Sequence, residues 1–355
     1  MIESALLMFL FLFLSGFLGA LILTRIARRV AQEVNLTAPV RPDRLHREVR
    51  PYGGGLAIAA TLVIFAAPLL FLYCYSGTAK HLFPSMLLFL AAVPFFIIGL
   101  LDDRYAFPAA PKLGLQFLAA AIAVVGYGIK ATVWLDAPWA GEVVSILWIV
   151  SVVNAYNMLD HADGLAAAVG IVAMTALGLG QIPHFAMGVP YVPWLAFLAA
   201  GALAGFLVYN FPPAKLFMGD AGTMLVGFLL AGLTIQAQYY HEGQTPSRLV
   251  VLIPLAILAV PLFDMVCVTL SRIRRRQNPF RGDATSHLAH RMLARGWGPR
   301  GIVAFAAAAS AVCGGASVAM YFLSGPALLL PWMAVAAVLV AMLAVRRLPR
   351  TEAAQ

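Results

Sequence analysis

YVPWLAFLAAGALAGFLVYN, residues 191–210, and GTMLVGFLLAGLTIQAQYY, residues 222–240, are two apolar runs joined by the polar segment FPPAKLFMGDA. Each run has about the 20 residues that an α-helix needs to cross the hydrocarbon core of a bilayer. The pattern predicts two membrane-spanning helices over 191–209 and 222–241. The segment between them holds two prolines, a lysine and Asp220, so polar chemistry is concentrated where the spans end.

The same pattern recurs along the chain of 355 residues, of which 62% are hydrophobic and 11% charged. It predicts an all-α polytopic integral membrane protein with about 11 transmembrane helices. We expect a single transmembrane catalytic domain over residues 1–350 and a short disordered tail over 351–355. The sequence contains no soluble basic domain, so nucleic acid is not an expected partner. The predicted spans are 4–24, 53–74, 83–101, 114–130, 142–158, 164–182, 191–209, 222–241, 249–271, 301–323 and 326–345.

The arginines predict the orientation of the chain. Basic residues favour the cytoplasmic side of a membrane, and here they follow the first and the ninth predicted span. We therefore expect the N-terminus outside and the C-terminus in the cytoplasm. The first span lacks the flanking features of a cleaved signal peptide. The two basic clusters are Arg25, Arg28, Arg29, Arg41, Arg44, Arg47 and Arg50, and Arg272, Arg274, Arg275, Arg276, Arg281, Arg291, Arg295 and Arg300.

Acidic residues are scarce, fifteen in all, and several recur at the ends of the predicted spans. A charge near the bilayer centre costs about 3 kcal/mol on insertion scales. With the orientation above, these carboxylates face one side of the membrane, as expected of a metal-dependent active site at a membrane surface. Asp264 has two open roles, orienting neighbouring arginines or catalysis. The residues are Asp102, Asp103, Asp160, Asp163, Asp220 and Asp264.

Three glycines, Gly53, Gly54 and Gly55, open the second predicted span. Glycine lets the backbone approach a ligand closely and expose N–H groups to an anion. We expect Gly54 and Gly55 to bind substrate. The alternative is a flexible turn at the start of a span.

Two adjacent carboxylates, Asp102 and Asp103, end the third predicted span, and Lys112 and Gln116 open the fourth. Adjacent carboxylates repel each other unless a cation lies nearby. Lys112 or Mg²⁺ would supply that cation. The alternative is a helix cap with a salt bridge to Arg104.

A polar stripe ends the fifth predicted span, with a polar residue at every third position. This spacing keeps neighbours roughly on one helical face. Their oxygen ligands and hydrogen-bonding groups suit Mg²⁺, a nucleobase or a sugar. Asp163 and Gly164 would form a cap or turn. The stripe is Asn154, Asn157, Asp160 and Asp163.

The polar segment quoted first also carries candidate ligands. Its prolines break the helix, and Gly219 and Gly222 flank Asp220, which leaves the carboxylate and nearby amides open to a phosphate and a metal. Phe217 is suited to stacking on a base. The alternative is that Asp220 caps the eighth span.

The last large polar segment contains SHLAHRML, residues 286–293. On a helix, His287, His290 and Arg291 would share one face, so we expect an amphipathic helix on the membrane that presents hydrogen-bond donors. A zinc site is disfavoured because no cysteine accompanies the two histidines.

Together these stretches resemble the polyprenyl-phosphate N-acetylhexosamine-1-phosphate transferase superfamily, in the same order from about Arg41 to Arg291. The superfamily includes bacterial UDP-GlcNAc:undecaprenyl-phosphate transferases, phospho-MurNAc-pentapeptide translocase and eukaryotic dolichyl-phosphate enzymes. The histidine segment is similar to the UDP-GlcNAc branch. Two positions depart from the family pattern. Ala289 replaces a histidine, and His161 replaces a glycine, which we expect to alter the sugar pocket.

The resemblance implies a role for each candidate residue. Asn157 and Asp220 would bind Mg²⁺, for which Mn²⁺ could substitute. Asp163 and Phe217 would hold uracil, with Asn210 close by. The implied catalytic residues are Asp102, Asp103, Lys112, Asp160, His290 and Arg291, and the implied substrate-binding residues are Gly54, Gly55, Asp163, Asn210, Phe217 and His287.

The implied reaction transfers HexNAc-1-phosphate, with GlcNAc the first choice, from a UDP-sugar to undecaprenyl phosphate and releases UMP. The partners would be the UDP-N-acetylhexosamine, undecaprenyl phosphate and membrane lipids, with a homodimer left open. The location would be the bacterial inner membrane, with a cytoplasmic active site. The alternative is a transporter or flippase of a phosphorylated lipid or anion, since charged groups in membranes also mark ion pathways.

Overall fold

The computed structural model describes residues 2–34, 37–38, 50–75, 83–131, 137–182, 191–240, 247–278 and 286–347. Four of the arginines used to predict the orientation, at positions 41, 44, 47 and 281, lie outside these residues, and so does the predicted tail 351–355.

The described residues form thirteen α-helices and one short antiparallel ribbon, in which β1 (Thr37–Ala38) pairs with β2 (Arg50–Pro51). A π-helical turn over 122–126 extends α4, and 3₁₀ turns precede α9 and α13. The helices are α1 (Ile2–Glu33), α2 (Gly54–Tyr75), α3 (Phe83–Tyr105), α4 (Ala109–Ala121), α5 (Pro138–Leu159), α6 (Leu165–Gly180), α7 (Tyr191–Asn210), α8 (Gly219–Gln236), α9 (Ile253–Ile257), α10 (Ala259–Arg274), α11 (Leu288–Leu293), α12 (Pro299–Ala319) and α13 (Leu329–Arg347).

The chain is an all-α polytopic membrane protein. Within the described ranges, eight helices are long and apolar enough to cross a membrane. The stretches 248–257 and 259–274, bent by 71°, would together make a ninth span. The stretch Gly54–Pro68 of α2 and the whole of α6 are apolar but shorter. Each of the eleven predicted spans overlaps one of these elements, although length and composition alone qualify only eight or nine.

The fourth predicted span begins earlier than expected, at Ala109 instead of position 114. Pro108 is its N-cap and Pro111 lies in its first turn. Proline is tolerated there because the first N–H groups of a helix have no partner within the helix. This early start places Lys112 on the helix rather than before it.

Helices α6, α7 and α8 lie at the centre, and most of their side chains are buried. By contrast, α1 and α13 expose many large apolar side chains, as expected where lipid replaces water. Helices α1 and α7 pack closely through glycine. A Cβ on Gly201 would lie 2.0 Å from the Phe13 carbonyl oxygen. Small residues of this kind let membrane helices approach each other.

The candidate site is assembled where α3, α5 and α8 end or begin. Residues 50–55 also contribute to this region, because they run alongside residues 216–218. The Phe217 N–H donates to the Pro51 carbonyl over 3.1 Å, and Tyr52 forms a parallel bridge with Phe217. The stretch before α2 is thereby fixed against the stretch before α8.

Candidate functional site

Lys112 joins two carboxylates from different helices. Its Nζ donates to Asp102 Oδ2 over 2.8 Å, and it also forms an ion pair with Asp220. The Phe107 N–H donates to Asp102 Oδ1 over 2.7 Å, which fixes the end of α3. All three charged side chains are largely buried. The structure therefore brings Asp102 and Lys112 together with Asp220, which is distant in sequence.

Asp103 binds the beginning of α8. Its Oδ1 accepts the Asp220 N–H over 2.7 Å, and its Oδ2 accepts the Ala221 N–H over 3.1 Å. These N–H groups belong to the first turn of a helix, where no partner within the helix exists and negative charge is favoured. Both oxygens of Asp103 are thus engaged by α8, so this carboxylate fixes the beginning of that helix, and its expected catalytic role stays a prediction.

The approach of Asp103 depends on Gly219, which begins α8 with a φ of +74°. This left-handed conformation favours glycine. A Cβ at this position would lie 2.5 Å from Asp103 Oδ2. The alternative reading, in which Asp220 caps the eighth span, does not hold, because a carboxylate from α3 takes that place and the Asp220 side chain pairs with Lys112.

Asn157, in the last turn of α5, closes the other side of the cluster. Its Nδ2 donates to Thr223 Oγ1 over 2.7 Å, and its side chain lies beside the Asp220 carboxylate. Thr223 was not among the predicted ligands. Its position three residues after Asp220, which places it one helical turn away, is the sequence signal that could have identified it.

The donor set suits a magnesium ion that binds together with phosphate. No three or more His, Cys, Asp or Glu side chains among the described residues are placed to hold a metal by themselves. Mg²⁺ usually takes one or two carboxylates and completes its shell with water and substrate phosphates. Asp220 and the amide oxygen of Asn157 are such hard oxygen donors, and the ammonium of Lys112 already lies between two carboxylates.

Gln116 and Asn154 form a polar pair one turn farther from the ends of α4 and α5. Asn154 Nδ2 donates to Gln116 Oε1 over 2.7 Å, and Gln116 is fully buried. This contact joins α4 to α5, so it holds Lys112 near Asn157. Asn154 therefore helps to hold α4 and α5 in place around the cluster.

Gly54 and Gly55 do not present free N–H groups. The Gly54 N–H donates to the Phe217 carbonyl over 3.0 Å and the Gly55 N–H to the Met218 carbonyl over 2.9 Å. The expectation that they bind an anion through these groups is therefore wrong in this structure. A Cβ on Gly55 would lie 2.3 Å from the Gly222 nitrogen, so glycine allows α2 to approach α8.

Asn210 and Asp163 fasten the loop after α7 to the turn after α5. Asn210 is buried; its Oδ1 accepts the Gly164 N–H over 2.9 Å, and its Nδ2 donates to the Leu216 carbonyl over 2.9 Å. Asp163 Oδ2 accepts the Ala214 N–H over 2.8 Å. Because both ends of its amide are engaged, Asn210 is a structural link here, which corrects its expected role in binding substrate.

The predicted polar stripe does not continue as a helix. α5 ends at Leu159, Asp160 is its C-cap, and a turn follows. The shared helical face therefore ends with Asn157, and Asp163 and Gly164 form the expected turn, with Gly164 as the N-cap of α6. Only Asn154 and Asn157 share the helix, while Asp163 is turned toward the loop after α7.

Phe217 is mostly buried, with 7% of its surface exposed. Its ring lies against Tyr52, with centroids 6.3 Å apart. Phe217, Tyr52 and Ala214 form a small apolar cluster beside the beginning of α8. Only a narrow strip of the Phe217 ring is therefore open to a base.

Three histidines form a second cluster. The ring of His161 lies 4.3 Å from that of His287 and 5.3 Å from that of His290. His287 is the N-cap of α11 and is buried, so the expectation that it shares a helical face with His290 and Arg291 is wrong. Burial and the nearby His287 lower the pKa of His161 to about 3, so this ring is neutral near pH 7.

The two departures from the family pattern, His161 and Ala289, line one cavity. His161 Nδ1 lies 2.8 Å from the Met158 carbonyl, and Ala289 is buried. His161, in the turn after α5, and Ala289, on α11, therefore lie beside the same cavity. Their proximity shows that the two departures concern one region.

Arg291 contacts the end of α13. Its Nη1 donates to the Arg346 carbonyl over 3.3 Å, and Arg295 Nη2 donates to the same carbonyl over 2.9 Å. Cations are favourable at a helix C-terminus. Burial and the neighbouring arginines lower the pKa of Arg291. Arg291 therefore contacts α13 beside Arg295, which was not among the candidate residues, and the expected catalytic role of Arg291 stays a prediction.

Comparison with known proteins finds relatives whose names describe closely related activities. The sequence pattern of glycosyl transferase family 4 matches residues 85–238. A Bacillus subtilis protein named "Probable undecaprenyl-phosphate N-acetylglucosaminyl 1-phosphate transferase" is 29% identical, over 83% of this chain and 80% of its own. A decaprenyl-phosphate N-acetylglucosaminephosphotransferase of Mycobacterium tuberculosis is 30% identical, over 80% and 78%. An undecaprenyl-phosphate alpha-N-acetylglucosaminyl 1-phosphate transferase of Yersinia pestis is 28% identical, over 83% and 78%. The carboxylate–lysine cluster of Asp102, Lys112 and Asp220 lies inside the matched region. With this degree of similarity over most of its length, the chain belongs to glycosyl transferase family 4.

Proposed function

We propose that this protein transfers GlcNAc-1-phosphate from UDP-GlcNAc to undecaprenyl phosphate. The observation that carries the proposal is the ion pairing of Lys112 with both Asp102 and Asp220 where three membrane helices end or begin. The named activities of the relatives support the same reaction. An oxygen of the lipid phosphate attacks the β-phosphorus of UDP-GlcNAc, the bond to the α-phosphate breaks, and UMP leaves with that bond's electrons.

This chemistry asks the protein for positioning and charge neutralisation more than for a strong base. The second pKa of a phosphate monoester is about 6, so the lipid phosphate is largely dianionic near pH 7. Lys112 would neutralise an approaching phosphate, and Asp102 would hold Lys112 in place. A covalent aspartyl-phosphate on Asp102 is the rival route, and trapping a phosphorylated aspartate during turnover would favour it.

We expect Asn157 and Asp220 to hold Mg²⁺ together with the pyrophosphate. When bound, the ion would neutralise charge on the pyrophosphate oxygens. Asp163 and the open strip of Phe217 would bind uracil, and His287 and His290 would contact the sugar or pyrophosphate. Asp160, at the end of α5 between the two clusters, would orient the bound substrate.

The deciding assay uses purified protein in detergent with UDP-GlcNAc and undecaprenyl phosphate. We expect UMP to be released only when both substrates are present, to stop when EDTA is added and to return with Mg²⁺ or Mn²⁺. A transporter or flippase would release no UMP, because it breaks no phosphate bond. A panel of UDP-sugars in the same assay would identify the preferred sugar.

The proposed location is the bacterial inner membrane, with eleven spans, the N-terminus outside and the site facing the cytoplasm. The structure offers two exposed positions to test this orientation, Gln277 after α10 and Ser324 between α12 and α13. In a variant lacking the three native cysteines, Ser324→Cys should react with an impermeant maleimide added to intact cells. Gln277→Cys should react only after the cells are opened. The reverse pattern would overturn the orientation.

A further inference from the structure

Three successive residues at the beginning of α11, Ser286, His287 and Leu288, are fixed by two charged side chains from other helices. Arg346 Nη2 donates to the Ser286 carbonyl over 2.7 Å. Asp264 Oδ2 lies 2.8 Å from His287 Nδ1, and Asp264 Oδ1 accepts the Leu288 N–H over 2.9 Å. The segment that carries His287 is therefore tied to both α10 and α13.

The two charged side chains also bind each other. Arg346 Nη1 lies 2.7 Å from Asp264 Oδ1, and their side chains are only 5% and 3% exposed. A buried ion pair adds little net stability, because removing two charges from water offsets most of their attraction. The next residue, Arg347, is exposed and can supply a cytoplasmic positive charge. Orientation in the membrane therefore does not explain why Arg346 is buried.

The fork of the guanidinium explains the arrangement. One side of the Arg346 fork binds Asp264 and the other binds the Ser286 carbonyl, which the single ammonium of a lysine cannot reproduce with the same geometry. Asp264, as a carboxylate, accepts hydrogen bonds only. It therefore places the His287 proton on Nδ1 and leaves Nε2 as the acceptor in the neutral ring.

His287 is also near the carboxylate–lysine cluster through α5. Its ring lies 4.3 Å from that of His161, which follows Asn157 by four residues, in the turn after α5. Asn157 in turn hydrogen-bonds Thr223 and lies beside Asp220. A shift of His287 would thus be felt at the end of the helix that lines the proposed reaction site.

We propose that Arg346, in the last turn of the last helix, is a positioning residue that acts through Asp264 to hold His287 in one orientation and one tautomer. The proposal deepens the proposed function and rests on it. It gives the C-terminal helix a role in the reaction, although its sequence has no motif beyond two arginines.

The test compares Arg346→Met with the matched control Arg347→Met, which removes the same charge from the same helix end. UMP release is measured for both against the unchanged protein. Arg346→Met should lower kcat/KM by about 10- to 100-fold, as expected when a group that positions the substrate is misplaced by up to about 1 Å. Arg347→Met should stay within about twofold. Equal effects of the two changes would overturn the proposal.

Arg346→Lys serves if Arg346→Met does not fold, because it keeps a charge beside Asp264 but loses the fork. It should still lose activity while its melting temperature stays close to that of the unchanged protein. Combining the Arg346 change with His287→Asn should cost no more than His287→Asn alone, because the two residues act as one unit. A fully additive loss would contradict an action through His287.

An NMR measurement on His287 tests this proposal without measuring turnover. Its failure can therefore be told apart from a failure of the proposed function. With ¹⁵N-labelled histidine, the His287 signal is assigned by its loss in His287→Asn. It should report the Nδ1–H tautomer in the unchanged protein and in Arg347→Met, and a changed tautomer or mixture in Arg346→Lys. An unaltered signal would overturn the positioning role even in an active enzyme. Absence of UMP release by the unchanged protein would refute only the proposed function.

Discussion

Asp220→Asn should lower the rate of UMP release by about 1000-fold, which corresponds to ~4 kcal/mol of transition-state stabilisation. The change removes the carboxylate that pairs with Lys112 and lies beside Asn157, while it preserves the size of the side chain. It would also remove the one charged ligand of the proposed Mg²⁺ site. The rate is measured at saturating substrate and over a range of Mg²⁺ concentrations.

Glu142→Gln is the matched control for this change. It makes the same conversion of carboxylate to amide, on a partly exposed residue that pairs with Lys130. Glu142 lies near the beginning of α5, whereas Asn157 lies at the other end of that helix. It should keep the full rate. If Asp220→Asn turned over at a near-normal rate with saturating Mg²⁺ and an unchanged melting temperature, the metal and the Lys112 pairing would both be misassigned.

The membrane fold could be predicted because hydrophobic length depends on local sequence. Each predicted span overlaps an apolar helix or the bent pair. The predicted helix boundaries differ from the observed ones where polar residues enter a helix. α4 begins five residues before the expected position because proline suits its first turn. The turn after Leu159 lies where the fifth span was expected to end and where Asp163 and Gly164 were expected to form a cap or turn.

The candidate residues were predicted better than their partners. Asp102 and Lys112 are close in sequence, and their pairing could be expected. The contact between Lys112 and Asp220 joins residues 108 positions apart, and only helix packing can create it. The same holds for Arg346 and Asp264, 82 positions apart. Such pairs depend on which helices are neighbours, and a single sequence contains little information about that.

Glycine and asparagine were misread for a related reason. The residue types at Gly55 and Asn210 suit a ligand, yet in the structure they serve close packing and loop attachment. Backbone N–H groups inside a protein nearly always find a partner. A glycine-rich stretch beside another chain segment is therefore as well explained by a close approach of two backbones as by an anion.

Asp103→Ala should lower turnover by about 100-fold and also destabilise the protein, whereas Asp102→Asn should lower turnover alone. Asp103 accepts the first N–H groups of α8, and loss of a helix cap costs about 1–2 kcal/mol. The beginning of α8 would then shift, together with Asp220. After Asp102→Asn, Lys112 keeps its ion pair with Asp220, so the fold loses little.

Melting temperature in detergent, turnover and UDP-GlcNAc affinity by calorimetry together distinguish these two roles. Affinity should change by less than about tenfold, or ~1.4 kcal/mol, in both variants, because neither carboxylate is assigned to the nucleotide. The melting temperature should fall only for Asp103→Ala. If Asp103→Ala kept its melting temperature and lost turnover alone, the carboxylate would act on substrate directly and not through the amides of α8. If Asp102→Asn were the less stable variant, the ion pair with Lys112 rather than the cap would hold α3 against α8.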